Sequence, residues 1–134
     1  MPSKRVLLID DQLDHVETIK RYFGRFQHGR EYEIATASSG PEIGAAIRRG
    51  PPDLMLLDPQ LKNVNGIALL KQLRELDASL PVIVVTGTQP TRAAEEVLKA
   101  GVFAYVPKPC GYEQLEHLVA LVFLRLFTPA SAAR

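Results

Sequence analysis

The chain carries a single cysteine, Cys110, in 134 residues. An internal disulfide and a cysteine-based zinc site are therefore excluded, and order must come from a buried core, which a chain of this length can build unaided. Charge of one sign is also missing: the formal net charge is +1. The longest basic clusters, Lys4-Arg5 and Arg48-Arg49, are too short for the stripe that a nucleic-acid surface needs, so no direct nucleic-acid contact is expected. Long apolar runs are absent as well. The most apolar stretch, Leu118 to Phe127, contains Arg125 and is too short to span a bilayer. The opening residues do not read as a signal peptide. No membrane contact is expected, and the cytoplasm is the expected compartment.

Short apolar runs are present instead. Val6-Leu7-Leu8-Ile9, Leu54-Met55-Leu56-Leu57, Val82-Ile83-Val84-Val85 and Phe103-Ala104-Tyr105-Val106 are continuous rather than alternating. Each is followed by polar, Gly or Pro residues, the pattern of strands buried on both faces of a parallel sheet. A fifth stretch, Tyr32 to Ala37, is more polar and suits an edge. Helical stripes fill the gaps: Val16, Ile19, Phe23 and Phe26; Ile43, Ala46 and Ile47; Leu69, Leu70, Leu73 and Leu76; Ala94, Val97 and Leu98. Ser39 with Glu42 predicts a capping box, Gly50-Pro51-Pro52 a helix end, and Gly101 another. A fifth helix is predicted from about Gly111 to Phe127. Five alternations of strand and helix predict a single α/β domain, with a parallel sheet covered on both sides. Its span is 1–127, followed by a tail or the start of a linker at 128–134.

In such a sheet ligands bind at the carboxyl ends of the strands. Strand one ends in Asp10-Asp11, strand three in Asp58 and strand four in Thr86, while Lys108 follows strand five. If strands one and three are neighbours, three carboxylates converge. A hard divalent cation such as Mg²⁺ is what neutralises that charge, taking oxygen ligands and often a phosphate. An aspartate there can act as nucleophile toward a phosphoryl donor, with Lys108 and the Thr86 hydroxyl bonding the transferred oxygens. Taken singly, each residue has a plainer reading. Asp10 and Asp11 can cap a helix, and Asp58 before Pro59 can shape a turn. Thr86 can end a strand, Lys108 can be a surface lysine and Tyr105 a core residue. The four strands delivering these groups to one edge favour the joint reading.

Ile9-Asp10-Asp11, Leu57-Asp58 with Gly66 eight residues on, Val85-Thr86-Gly87 and Tyr105-Val106-Pro107-Lys108-Pro109 together resemble the signature of a response regulator receiver domain, of the chemotaxis-regulator type. The resemblance runs from Lys4 to about Phe127. It implies a flavodoxin-like doubly wound sheet of order 2-1-3-4-5 and a two-component signalling role. Asp58 would be the phosphoacceptor, and the chain would be no enzyme beyond its own phosphorylation and dephosphorylation. Mg²⁺, or Mn²⁺ in its place, would be held by Asp10, Asp11, Asp58 and the backbone carbonyl of Gln60. Lys108 would pair with the phosphoryl group. Thr86 and Tyr105 would act as the switch, relaying the change to the face of the fourth helix, fifth strand and fifth helix. The Lys108-Pro109 bond would be cis. A histidine kinase or histidine phosphotransfer protein would be the donor.

The sequence departs from that family twice. Lys62 stands where members often have proline, the proline here falling at Pro59, so the turn carrying Gln60 is expected to differ in shape. Pro107 makes a Pro-Lys-Pro run that stiffens the lysine loop. Two other classes compete. An Asp-nucleophile phosphatase also uses a strand-end Asp and Mg²⁺, but that class has a second Asp where this chain has Gln60. A receiver-like interaction module would lack phosphorylation in the cell. His15, His28 and His117 lack metal-ligand spacing and are expected to be solvated, and Cys110 is expected to be structural. Apolar residues nearly encircle the last helix, from Tyr112 to Phe127, which predicts a docking face, with a second copy as one candidate occupant.

Overall fold

The continuous apolar runs form strands because helices cover both sides of the sheet. The computed structural model describes residues 3–61, 65–87 and 101–125, with only the backbone of Ile67 and Arg125. Its strands are β1 (Ser3–Ile9), β2 (Glu31–Ala37), β3 (Leu54–Leu57), β4 (Val82–Thr86) and β5 (Ala104–Pro107). They form one parallel sheet in the order β2-β1-β3-β4-β5, the predicted order, with the polar strand β2 at an edge. The described helices are α1 (Leu13–Arg25), α2 (Gly40–Arg49), α3 (Gly66–Leu76) and α4 (Tyr112–Arg125). The stripe Ala94, Val97 and Leu98, the position of Lys62, and residues 126–134 lie outside the described residues. The helix expected fifth is thus α4.

Period-two geometry sorts each strand onto two cores. Val6, Leu8, Leu54, Leu56, Ile83, Val85 and Val106 pack with α1 and α4 through residues such as Ile19, Phe23, Leu115 and Val119. Their neighbours Leu7, Ile9, Met55, Leu57, Val82 and Val84 pack on the opposite face with Ile43, Ala46, Leu70 and Leu73 of α2 and α3. The sheet is therefore the middle of three layers, and its central strands expose no face to water. That is why they do not alternate in the sequence.

Boundaries differ from the predicted ones where polar residues find partners. β1 begins at Ser3 because Ser3 to Arg5 pair with Glu31 to Glu33 of β2, and Arg5 bridges Glu33 at 3.1 Å. The capping box of α2 forms with a shift: Ser39 Oγ accepts from the Glu42 N–H at 3.3 Å, while Glu42 Oε1 accepts from the N–H of Ser38 rather than Ser39. Leu76, a member of the α3 stripe, is 78% exposed. The helix ends there, Asp77 Oδ1 takes the N–H and hydroxyl of Ser79, and Leu80 enters the core instead. Gly101 has a φ of +83°, which glycine adopts without strain.

Candidate functional site

Backbone pairing continues past the strand ends and carries the polar residues to one edge. The Asp10 N–H donates to Ala37 O of β2 at 3.1 Å, the Asp58 N–H to Ile9 O of β1 at 2.9 Å, and the Lys108 N–H to Thr86 O of β4 at 2.8 Å. The β1–β3 register sets Ile9 opposite Leu57, so the next residues of these adjacent strands are Asp10 and Asp58. Both are buried, as is Thr86. Gly66 lies against Pro59: a Cβ placed there would be 2.6 Å from the Pro59 carbonyl oxygen. Only glycine lets the start of α3 approach the residue after Asp58 so closely.

Lys108 joins the two carboxylates. Its Nζ donates to Asp58 Oδ2 at 2.7 Å and lies 3.0 Å from Asp10 Oδ2 and 3.2 Å from Oδ1. It also donates to Gln12 Oε1 at 2.7 Å. Burial pulls the lysine pKa down, but the hydrogen bonds and charges of Asp58 and Asp10 outweigh it, so the ammonium is held above the ordinary lysine value. For Asp10, burial pushes upward, yet hydrogen bonds from His15, the Gln12 N–H and Lys108 prevail and the carboxyl sits below its usual value. The site thus stores an ionised aspartate beside an ionised lysine.

The remaining predicted residues take different places. Asp11 is exposed beside this pair. Among the described residues no three His, Cys, Asp or Glu side chains gather as metal donors, while Asp10 and Asp58 meet around the Lys108 ammonium. Thr86 Oγ1 contacts Gln60 Oε1 at 3.5 Å, and Gln60 donates its N–H to Asp58 Oδ1 at 2.9 Å, so Asp58 is also a turn residue. Tyr105 is half-buried against the α2–α3 core. The Lys108-Pro109 bond is cis. Asp10 and Asp11 do not cap α1, whose N-cap is Gln12. Cys110 is buried and unbridged, and burial raises its thiol to about 11.

Two of the three histidines depart from expectation. The side chain of His15 is only 11% exposed and its Nδ1 lies 2.7 Å from Asp10 Oδ2. His28 is likewise enclosed, its Nδ1 bonded to the Tyr32 hydroxyl at 2.7 Å, while His117 is exposed. Burial lowers the His28 pKa, partly countered by Glu116. Gln12 and His15 escaped sequence reasoning as site residues. The available signal was their spacing of three, which sets the N-cap Gln12 one turn before His15 of α1.

An oxygen-only donor set in which two carboxylates already share one cation fits a hard divalent ion. The fold is a doubly wound α/β domain whose acidic sheet edge is crossed by a lysine. The response regulator receiver domain pattern matches residues 6–120, and the chain belongs to that family. It is 35% identical over 111 residues to the alginate biosynthesis transcriptional regulatory protein AlgB of Pseudomonas aeruginosa. It is 31% identical over 111 residues to the transcriptional regulatory protein ZraR of Salmonella typhimurium. Each alignment covers 83% of this chain and 24% of the relative, so the chain spans about a quarter of their length. A CheY-like receiver domain of Methanospirillum hungatei superposes with a TM-score of 0.77 at 28% identity, covering 93% of this chain and 98% of that one. The protein is a receiver domain of the response regulators of two-component signalling. No described helix is long and apolar enough to cross a membrane.

Proposed function

We propose that this receiver domain accepts a phosphoryl group on Asp58 from a phosphohistidine donor, a histidine kinase or histidine phosphotransfer protein. An Asp58 carboxylate oxygen attacks phosphorus, the O–P bond forms, and the P–N bond breaks with its electron pair returning to the donor imidazole. The product is an acyl phosphate on Asp58. The observation that carries this reading is the Lys108 ammonium 2.7 Å from Asp58 Oδ2. It is a charge fixed beside the position where the phosphoryl oxygens arrive, and such fixed charge is the main device of phosphoryl transfer. Asp10, Asp11, Asp58 and the Gln60 carbonyl would hold Mg²⁺, with Mn²⁺ as a substitute. The ion would supply further neutralisation of the phosphoryl charge. Thr86 and Tyr105 would switch together, since Thr86 ends β4 and Tyr105 lies in the neighbouring strand β5.

The phosphatase reading lacks its second acid, because Gln60 is an amide, and the chain is proposed to undergo no turnover beyond its own dephosphorylation. The receiver is taken to span 1–127, with 128–134 as tail or linker. Leu121 and Leu124 of α4 are 50% and 61% exposed, and this uncovered apolar surface supports docking of a second copy. Sedimentation should show concentration-dependent association that Leu124→Glu removes; a monomer at all concentrations would count against it. The phosphorylation test is intact mass after incubation with acetyl phosphate and Mg²⁺. The parent chain should gain one phosphoryl group and Asp58→Asn none, whereas equal modification of both would refute the assignment.

A further inference from the structure

His15 is an unexpected member of the Asp10 network. Asp10 accepts through both oxygens: Oδ1 from the Gln12 N–H at 2.9 Å and from Lys108, Oδ2 from His15 at 2.7 Å. An ionised carboxylate only accepts, so Nδ1 of His15 must carry the proton. The other ring nitrogen, Nε2, is buried and has no hydrogen-bond partner. An unsatisfied buried nitrogen costs stability, and an apolar side chain of similar size would avoid that cost at this place on α1. Among the described residues the polar contact made by the imidazole is with Asp10, so its effect falls on that carboxylate.

We infer that His15 is a positioning residue for Asp10, its Nδ1–H holding the carboxylate at the angle from which it helps to take a divalent cation. This rests on the reading that Asp10 belongs to the cation site. With Gln12 clamping Oδ1 and the far end of Lys108, His15 completes a second tier that leaves the Asp10 plane no free rotation. Outer-tier partners of ligating carboxylates commonly set metal affinity by about ten- to a hundredfold.

The test uses the unphosphorylated chain, stripped of metal, with Mn²⁺ binding followed by electron paramagnetic resonance at fixed pH. His15→Met removes the donor while filling the space, and His15→Asn keeps a donor near the Nδ1 position. The expected result is at least about tenfold weaker Mn²⁺ binding for His15→Met and recovery of most of that loss by His15→Asn. Binding by His15→Met equal to or tighter than the parent would overturn the proposal, as would equal weakness of both variants. Should His15→Met not fold, the ring-nitrogen spectrum of the parent decides: a protonated Nδ1 that responds to Mg²⁺ supports the assignment, and an unprotonated Nδ1 overturns it. A parent chain that binds no Mn²⁺ would overturn both the inference and the cation reading beneath it, and is thereby told apart from failure at His15 alone.

Discussion

Replacing Lys108 by Met isolates the electrostatic core of the site. Among the described residues the ammonium bonds both buried carboxylates, at 2.7 Å from Asp58 and 3.0 Å from Asp10, and methionine fills the space of its stem without the charge. Removing one partner of a buried ionic cluster costs about 3–5 kcal/mol, because the other charges stay desolvated and unpaired. The lower end applies here, since Asp11 and Gln12 are exposed at the rim and admit water. With a urea slope of about 2 kcal/mol per molar, a loss of about 3 kcal/mol lowers the unfolding midpoint by roughly 1.5 M. Urea unfolding followed by circular dichroism in the presence of a chelator measures this directly. Mg²⁺ should then recover part of the loss in Lys108→Met, about 1.4 kcal/mol at ten times its dissociation constant, as a new cation takes the place of the old. A Lys108→Met chain within about 0.5 kcal/mol of the parent in chelator, the range of ordinary surface substitutions, would refute the argument.

Acid should act on the same network. Asp10 is held below its ordinary value of 3.8, so its contribution to stability is present above that value and is lost as pH falls through the lower, folded-state value. Urea midpoints taken downward from about pH 6 should therefore fall less steeply for Asp10→Asn than for the parent; parallel curves would contradict the assignment. Gly66→Ala drives a Cβ against the backbone of Pro59 and should cost about 1–3 kcal/mol or more in urea unfolding, as overpacking does. Cys110, raised to about 11 by burial, should resist iodoacetamide in the native state at about pH 8 and react once unfolded, as mass spectrometry would show.

Much of this architecture was legible because burial on both faces leaves a direct mark. Leu54 to Leu57 and Val82 to Val85 have no polar member, and a run of that kind has few homes outside a covered parallel sheet. The functional edge was legible for a related reason: polarity returns abruptly at Asp10, Asp58 and Thr86, where the strands stop. Other features depend on distances that no spacing encodes. Lys108 follows β5, yet its side chain reaches past β4 to β3 and β1, so its partners lie 50 and 98 residues away in the chain. Gly66 was visible as part of a motif, but the reason for it, the backbone of Pro59 against its Cα, exists only in space. His15 reads as one polar residue on an amphipathic helix. Its burial follows from the site it leans on rather than from the pattern of α1. Leu76 failed in the opposite sense, since the apolar periodicity ran to the last residue of α3, where Asp77 turns the chain and leaves Leu76 exposed.

The central claim is that the carboxylate of Asp58 becomes an acyl phosphate. Borohydride reduces such a mixed anhydride to an alcohol, which turns the modified aspartate into homoserine. After acetyl phosphate and Mg²⁺ treatment, peptide sequencing by mass spectrometry should find homoserine at position 58. Homoserine at position 10 or 11 instead, or at no position in a chain that has gained a phosphoryl group, would contradict it.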